Sequence, residues 1–310
     1  MINRRGVALI VVILMISVIV ALTIQLNRDM RSEVYEAANF SDRIRLRYVA
    51  ESAIHAAEAL LLADTNNFDA LSEDWANTAM LSLKSAEYFD NASFRLFIED
   101  EAGKIPINLL VGGNAYNAPI KEMVLRLLTG PYFRLEQDVS EEIVDCIKDW
   151  IDTDSKTTDK GEEDGVKNAP LDCIDELLMI KGVSRELFYG SDVFFGLARC
   201  LTVFGDGKIN INTAPKAVLR ALSAGMTDEA VEALDEYRRD DKNAVSDAGW
   251  HGMVSEAVGL NIPTGMIKVQ SDIFRIKAEA MQDRMTHQVA AVVKRTLSPK
   301  KMATMSWRTD

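Results

Sequence analysis

Between Asp149 and Asp164 the chain gathers seven carboxylates (Asp149, Asp152, Asp154, Asp159, Glu162, Glu163 and Asp164) around two lysines, Lys156 and Lys160. Hard oxygen donors held on one loop suit a divalent cation of the calcium type. Asp152-x-Asp154 falls just past an apolar helical pattern, and Gly161 and Gly165 permit tight turns. The spacing is not that of an EF-hand, because the glycine and the closing glutamate are out of register. Charge patterning alone leaves a solvated acidic loop equally open. Cys146 precedes this segment and Cys173 follows it. A disulfide there would staple the loop in an oxidising compartment, whereas the apolar spacing of Ile143, Cys146, Ile147 and Trp150 favours two packed thiols; Cys200 has no evident partner. Other reactive groups are dispersed. His55, His251 and His287 form no H-E-x-x-H pair, and neither G-x-S-x-G nor a Walker loop occurs. Gly205-Asp206-Gly207-Lys208 is flanked by Leu201, Val203, Ile209 and Ile211, which predicts a hairpin turn rather than a phosphate loop. No enzyme is expected from these residues.

Two segments have the outline of helix-hairpin-helix turns: Leu178 to Ser184, and Leu222 to Thr227. In DNA-binding versions a Gly-hydrophobic-Gly turn offers backbone N–H groups to a phosphate. Here Ser184 and Thr227 replace the second glycine and are expected to be helix N-caps. Asp228 and Glu229 would repel phosphate, and the chain balances 35 Lys and Arg against 47 Asp and Glu, a net charge of -12. Nucleic acid is therefore not an expected partner.

The elements that must position these groups are mostly helical. Of 310 residues 48% are apolar, enough for one large domain or two modest ones. Gly103-Lys104-Ile105-Pro106-Ile107-Asn108 is echoed by Gly207-Lys208-Ile209-Asn210-Ile211-Asn212, and each copy leads through Ala-Pro (Ala118-Pro119, Ala214-Pro215) to an apolar helix. A second helix with an acidic first turn follows each: Ser140-Glu141-Glu142 and Thr227-Asp228-Glu229. Two copies of one helical module are expected. Alternation predicts strands at Ser93 to Asp100, Ile105 to Leu110, Ser271 to Met281 and Gln288 to Arg295, with the last two pairing across Gln282-Asp283-Arg284. Pro106 demotes its strand to an edge. The basic tail from Ser298 is expected to be loose.

The N-terminus narrows the class. Val7 to Leu26 is a run of twenty uncharged residues, long enough to span a hydrocarbon core of about 30 Å. Arg4 and Arg5 hold its start in the cytoplasm. The six-residue leader ends in Gly6, directly before the apolar run; a secretory signal has its cleavage site after that run. Leu26, Met30, Val34, Ala37, Ile44 and Tyr48 continue the helical spacing outside the bilayer, predicting one helix to about Leu62.

A basic leader ending in glycine, an apolar helix and an amphipathic continuation resemble the type IV pilins and pseudopilins. Most members carry Glu five residues into the mature chain, where this sequence has Val11. That departure is similar to the general secretion pathway protein K family of type II secretion. Further markers are Asp100-Glu101-Ala102-Gly103-Lys104, Asp149-Trp150-Ile151-Asp152-Thr153-Asp154, Asp175-Glu176-Leu177-Leu178 with Gly182, and Ile209-Asn210-Ile211-Asn212-Thr213-Ala214. The resemblance implies cleavage by a prepilin peptidase between Gly6 and Val7, methylation of the processed chain, and an α+β fold. In that fold a transmembrane helix (7–26) and its continuation (27–62) lead to a pilin-like sheet region (63–111 and 263–297). An all-helical domain (112–262) is inserted, and a basic tail (298–310) closes the chain. It also implies calcium, with the family's Asp-x-Asp and Gly-x-Glu mapping onto Asp152, Asp154, Gly161 and Glu163, and Asp164 as the next carboxylate. The implied role is a minor pseudopilin at the tip of a periplasmic filament, helping to initiate its assembly. The implied setting is single-pass in the inner membrane, among sister minor pseudopilins. A membrane-anchored helix-hairpin-helix DNA receptor of the competence type is the alternative.

Overall fold

The computed structural model describes residues 4–113, 115–152, 167–191 and 195–309. Helix α1 runs from Arg4 to Ala63, 60 residues and about 90 Å; its span contains no proline to break it, and no glycine beyond Gly6. From Leu9 to Leu26 its large apolar side chains are all exposed, and this stretch is long and apolar enough to cross a membrane. From Leu46 one face turns inward: Leu46, Val49, Ala50, Ala53, Ile54, Ala57 and Leu61 are buried at three- and four-residue intervals. The alanines bring the helix axis close to the sheet above it. The last turn of α1 holds no basic residue of its own, so its free carbonyls are satisfied from elsewhere in the chain. Arg295 donates to the Leu61 carbonyl at 3.2 Å and Lys300 Nζ to the Leu62 carbonyl at 2.9 Å, placing cations at the negative end of the helix dipole.

The strands are β1 (Ser93–Asp100), β2 (Ile105–Pro106), β3 (Val111–Gly112), β4 (Ala115–Tyr116), β5 (Leu201–Thr202), β6 (Ile209–Asn210), β7 (Ile267–Lys268), β8 (Ile273–Gln282), β9 (Met285–Leu297) and β10 (Lys300–Thr309). An antiparallel sheet in the order β1-β8-β9-β10 lies on α1. Alternation sets its inner face: Phe94, Leu96 and Ile98 from β1, Ile276, Ala278 and Ala280 from β8, and Val289, Ala291 and Val293 from β9 are buried in one cluster with α1 and Trp75. A short helix, α2 (Ala79–Tyr88), covers the free edge of β1. Its hydroxyls replace a neighbouring strand. Thr78 donates to the Leu96 carbonyl, Ser82 Oγ accepts from Leu96 N–H at 3.1 Å, and Ser85 Oγ accepts from Phe94 N–H at 2.9 Å. That edge is closed to further pairing.

The other helices are α3 (Ala118–Thr129), α4 (Gln137–Ile151), α5 (Arg185–Tyr189), α6 (Lys216–Ala221) and α7 (Asp228–Arg239). They share a second core, separate from the first. The sequence echo is visible as two modules. β2 opens the first, leads to α3 and α4, and pairs in parallel with β5; β6 opens the second, leads to α6 and α7, and pairs in parallel with β7.

Four expectations are corrected. The tail is not loose: Lys300–Thr309 is a strand paired along β9. Its main-chain hydrogen bonds, not burial, hold it, so no apolar alternation advertised it. Residues 105–110 do not extend the sheet; Ile105, Ile107 and Leu110 pack in the helical block's core. Gly205 to Lys208 is a turn but not a hairpin, because its flanking strands β5 and β6 pair with different partners. Finally, α4 begins at Gln137, a turn before the expected start, and Ser140 lies inside it, buried and donating to the Glu136 carbonyl at 2.9 Å.

Candidate functional site

Helix α4 delivers Asp152 to the base of the acidic loop. Ile143, Val144, Ile147, Trp150 and Ile151 anchor the inner face of α4 in the core. Asp152 follows as the C-cap, its N–H bonded to the Lys148 carbonyl at 2.9 Å. The carboxylate is only 2% exposed. Lys148 Nζ reaches Oδ2 at 2.6 Å, and among the described residues Oδ1 has no hydrogen-bond partner. A buried carboxylate oxygen without a donor costs about 1–3 kcal/mol or more. It fits a site completed by a cation. Asp154, Glu163 and Asp164 lie outside the described residues.

The far end of the loop is fastened to the same helix. Ala169 N–H donates to the Trp150 carbonyl at 3.2 Å. Lys167 Nζ bridges Asp172 at 2.6 Å and Glu176 at 2.9 Å, and Glu176 also accepts from the N–H of Asp172 at 2.8 Å. Cys146 and Cys173 are free, half-buried thiols, so charge and backbone bonds close the base of the loop without a disulfide.

A second set of residues was not foreseen. Burial gathers two ionic clusters where the helical block meets the sheet. In the first, Glu101 is fully buried and accepts from Arg275 at 2.6 Å, Lys104 at 2.8 Å, and the Thr202 hydroxyl. Burial alone would raise the Glu101 carboxyl; Lys104 and then Arg275 outweigh it and hold it at about 2. In the second, Asp100 accepts from Ser271 Oγ at 2.5 Å, Thr213 Oγ1 at 2.6 Å, Ala102 N–H at 2.8 Å and Asn210 Nδ2 at 2.9 Å. Burial pushes its carboxyl up. Ser271 N–H links this cluster to Asp69 at 2.7 Å, and Asp69 pairs with Arg295 at 2.6 Å. Burial raises Asp69 to about 7, against the pull of Arg295 and the Ser271 N–H. Asp64, Asp69 and Glu73 bring three carboxylates together. Arg295 bridges Asp64 and Asp69, and Glu73 accepts from Ala70 N–H and Trp75 Nε1.

These clusters explain sequence markers that looked weak singly. Asp100 meets Asn210 and Thr213 across the seam, and Glu101 meets Lys104, Thr202 and Arg275. Gly103 must lack a side chain, because a Cβ there would lie 2.7 Å from Thr213 Oγ1 and 3.0 Å from Ala214 N. The signal available was the recurrence of Asp before and Asn after each Gly-Lys-Ile copy. Their partners Arg275 and Arg295 are too distant in sequence to be paired by inspection.

Ser184 and Thr227 are the expected N-caps. Ser184 accepts from Leu187 N–H at 3.1 Å and Thr227 from Ala230 N–H at 3.2 Å. Side chains therefore already bind donors that a DNA phosphate would use.

The sequence matches two family models described as type II secretion system (T2SS), protein K: a first region over residues 103–189 and a second over residues 209–250. No curated protein matches it. In overall fold the chain is similar to a chain of the GspK-GspI-GspJ complex from the enterotoxigenic Escherichia coli type 2 secretion system. The two share 14% identity with a TM-score of 0.69, over 89% of this chain and 99% of that one.

Proposed function

We propose that this chain is a minor pseudopilin of the type II secretion system protein K family, whose models it matches over 103–189 and 209–250, and that it occupies the tip of a periplasmic pseudopilus and helps to start its assembly. The observation that carries the tip position is Val11, on an exposed face of the apolar helix. Cleavage between Gly6 and Val7 by a prepilin peptidase would leave a charged amine in or near the inner membrane. An unpaired charge there costs several kcal/mol. A carboxylate five residues into the chain would pair with the amine of the subunit above; Val11 cannot. At a tip no subunit lies above. The helical block, with its own core, also has room at an end that a repeating shaft lacks. Leu26, Met30, Val34, Ile44 and Tyr48 remain exposed on the face of α1 turned away from the sheet, which suits contact with the helices of sister minor pseudopilins. The DNA-receptor alternative is disfavoured by the net charge of -12 and the capped turns.

Cysteines placed along 7–26 test the position. They should trap one or two sister pseudopilins and no ladder of this chain, and the trapped subunit should have an intact mass beginning at Val7. A homopolymer ladder, or a mature chain that still begins at Met1, would defeat the proposal.

Calcium is the second part. Asp152 would hold the ion with Asp154, Glu163 and Asp164, and the ion would supply the positive charge that Asp152 Oδ1 lacks. Binding to the folded form alone raises stability by about 2.7 kcal/mol at a hundredfold excess over Kd. Asp152→Ala with Asp154→Ala should abolish the gain. A melting temperature that is the same in chelator and in millimolar calcium would refute the site.

A further inference from the structure

We propose that the open edge of β10 receives an extended, acidic segment of a sister minor pseudopilin as a fifth strand of the sheet. The inference rests on the assembly with sister subunits proposed above, and adds where one of them docks. The two edges of this sheet are treated differently. The hydroxyls of Thr78, Ser82 and Ser85 close the β1 edge. At the other edge β10 pairs with β9, and among the described residues no group bonds its outward N–H and C=O groups. Ten residues of strand are thus available, about 33 Å of pairing surface.

Side-chain chemistry selects the occupant. In a chain of net charge -12, β10 carries Lys300, Lys301 and Arg308 and no carboxylate; Lys300 caps α1 and Arg308 pairs with Asp175 of the helical block, which leaves the exposed Lys301 as the cation facing a newcomer. Met305 and Trp307 are exposed beside them, 46% and 39%. Exposed Trp, Met and Arg around unpaired backbone are the composition of a protein interface. A second copy of this chain is a poor occupant. Antiparallel self-pairing about the middle of β10 sets Lys301 against Arg308, and like charges directly opposite destabilise a strand pair. The bulge between Thr304 and Ser306 breaks the register at that midpoint. Lys301, which guards the edge against self-association, attracts a strand bearing Asp or Glu.

The test uses the full chain co-expressed with its sister minor pseudopilins, with a photocrosslinking phenylalanine derivative at the exposed Ala303. Irradiation should link Ala303 to a sister subunit, and peptide mapping should place the link in an extended segment rich in Asp or Glu. Lys301→Glu with Met305→Asp, both at exposed positions, should leave the melting temperature unchanged and lower the crosslink yield about tenfold. A crosslink to a second copy would overturn the proposal. So would a yield indifferent to the double substitution, or no crosslink while the sister subunits still co-purify. Failure of the wild-type chain to co-purify with any sister subunit would instead remove the assembly on which the proposal rests, and the proposal with it.

Discussion

Replacing Glu101 by Gln is expected to lower the unfolding free energy by about 3–5 kcal/mol at neutral pH. Glu101 supplies the negative charge between two cations, Arg275 at 2.6 Å and Lys104 at 2.8 Å. Gln keeps the shape and loses the charge, which leaves Lys104 buried with only the more exposed Glu99 at 3.3 Å to balance it. The pH dependence follows from the sign of the shift. The folded carboxyl sits at about 2, below its ordinary 4.5. Its contribution is therefore fully present above about 4.5 and is lost as pH falls toward 2. The amount at stake is about 3 kcal/mol by proton linkage. Urea unfolding between pH 7 and pH 2.5 measures both effects. The wild-type chain should weaken across that acid limb, and Glu101→Gln should be weaker throughout but flatter. A variant as stable as the wild type at pH 7, or one retaining the full acid limb, would show that Glu101 does not hold the seam.

Arg295→Met is expected to cost a similar amount, about 3–5 kcal/mol, because it strands a buried anion. Arg295 pairs with Asp69 at 2.6 Å and Asp64 at 3.0 Å and also bonds the Leu61 and Ser271 carbonyls. The loss should depend on pH in the opposite sense to that of Glu101. Burial already raises Asp69 to about 7 from an ordinary 3.8, so its ionisation weakens the fold as pH rises through that window. Without the guanidinium the carboxyl has less reason to ionise. Arg295→Met should therefore lose less at pH 5, where Asp69 can take up a proton, than at pH 8. Asp69→Asn in the same chain should recover part of the loss, the signature of a direct pair in a double-mutant cycle. Strict additivity of the two substitutions would argue against the pairing.

The outline of the fold was legible where local pattern decides it. The apolar run of α1, the alternation of β1, β8 and β9, and the capping roles of Ser184 and Thr227 all follow from neighbours a few residues apart. The candidate cation loop was legible in part: Asp152 is where the spacing put it, at the end of α4, while its orphaned oxygen required the packing of Trp150 and Lys148 to be known. The seam was not legible. Glu101 meets Arg275 across 174 positions and Asp69 meets Arg295 across 226; nothing in the composition of either segment names the other. β10 was missed for a different reason. It is a strand by backbone pairing on an exposed edge, so a periodicity built on burial had nothing to report.

The capping of α1 has a consequence in time. The carbonyl of Leu61 is satisfied by a side chain 234 positions later and that of Leu62 by one 238 positions later. A ribosome adding about 5–20 residues per second needs on the order of ten to fifty seconds to cross that gap. During this interval α1 has emerged and the block from Ile105 to Lys268 can close its own core. Leu46, Val49, Ile54 and Leu61 still lack β8 and β9, which complete their cover beside β1. The last forty or so residues, β8 to β10, then complete the head around a helix made at the outset. A nascent chain of this protein passes most of its synthesis with one apolar face uncovered and already close to the anchor, which makes that face the natural substrate for a holding chaperone until Arg295 and Lys300 arrive.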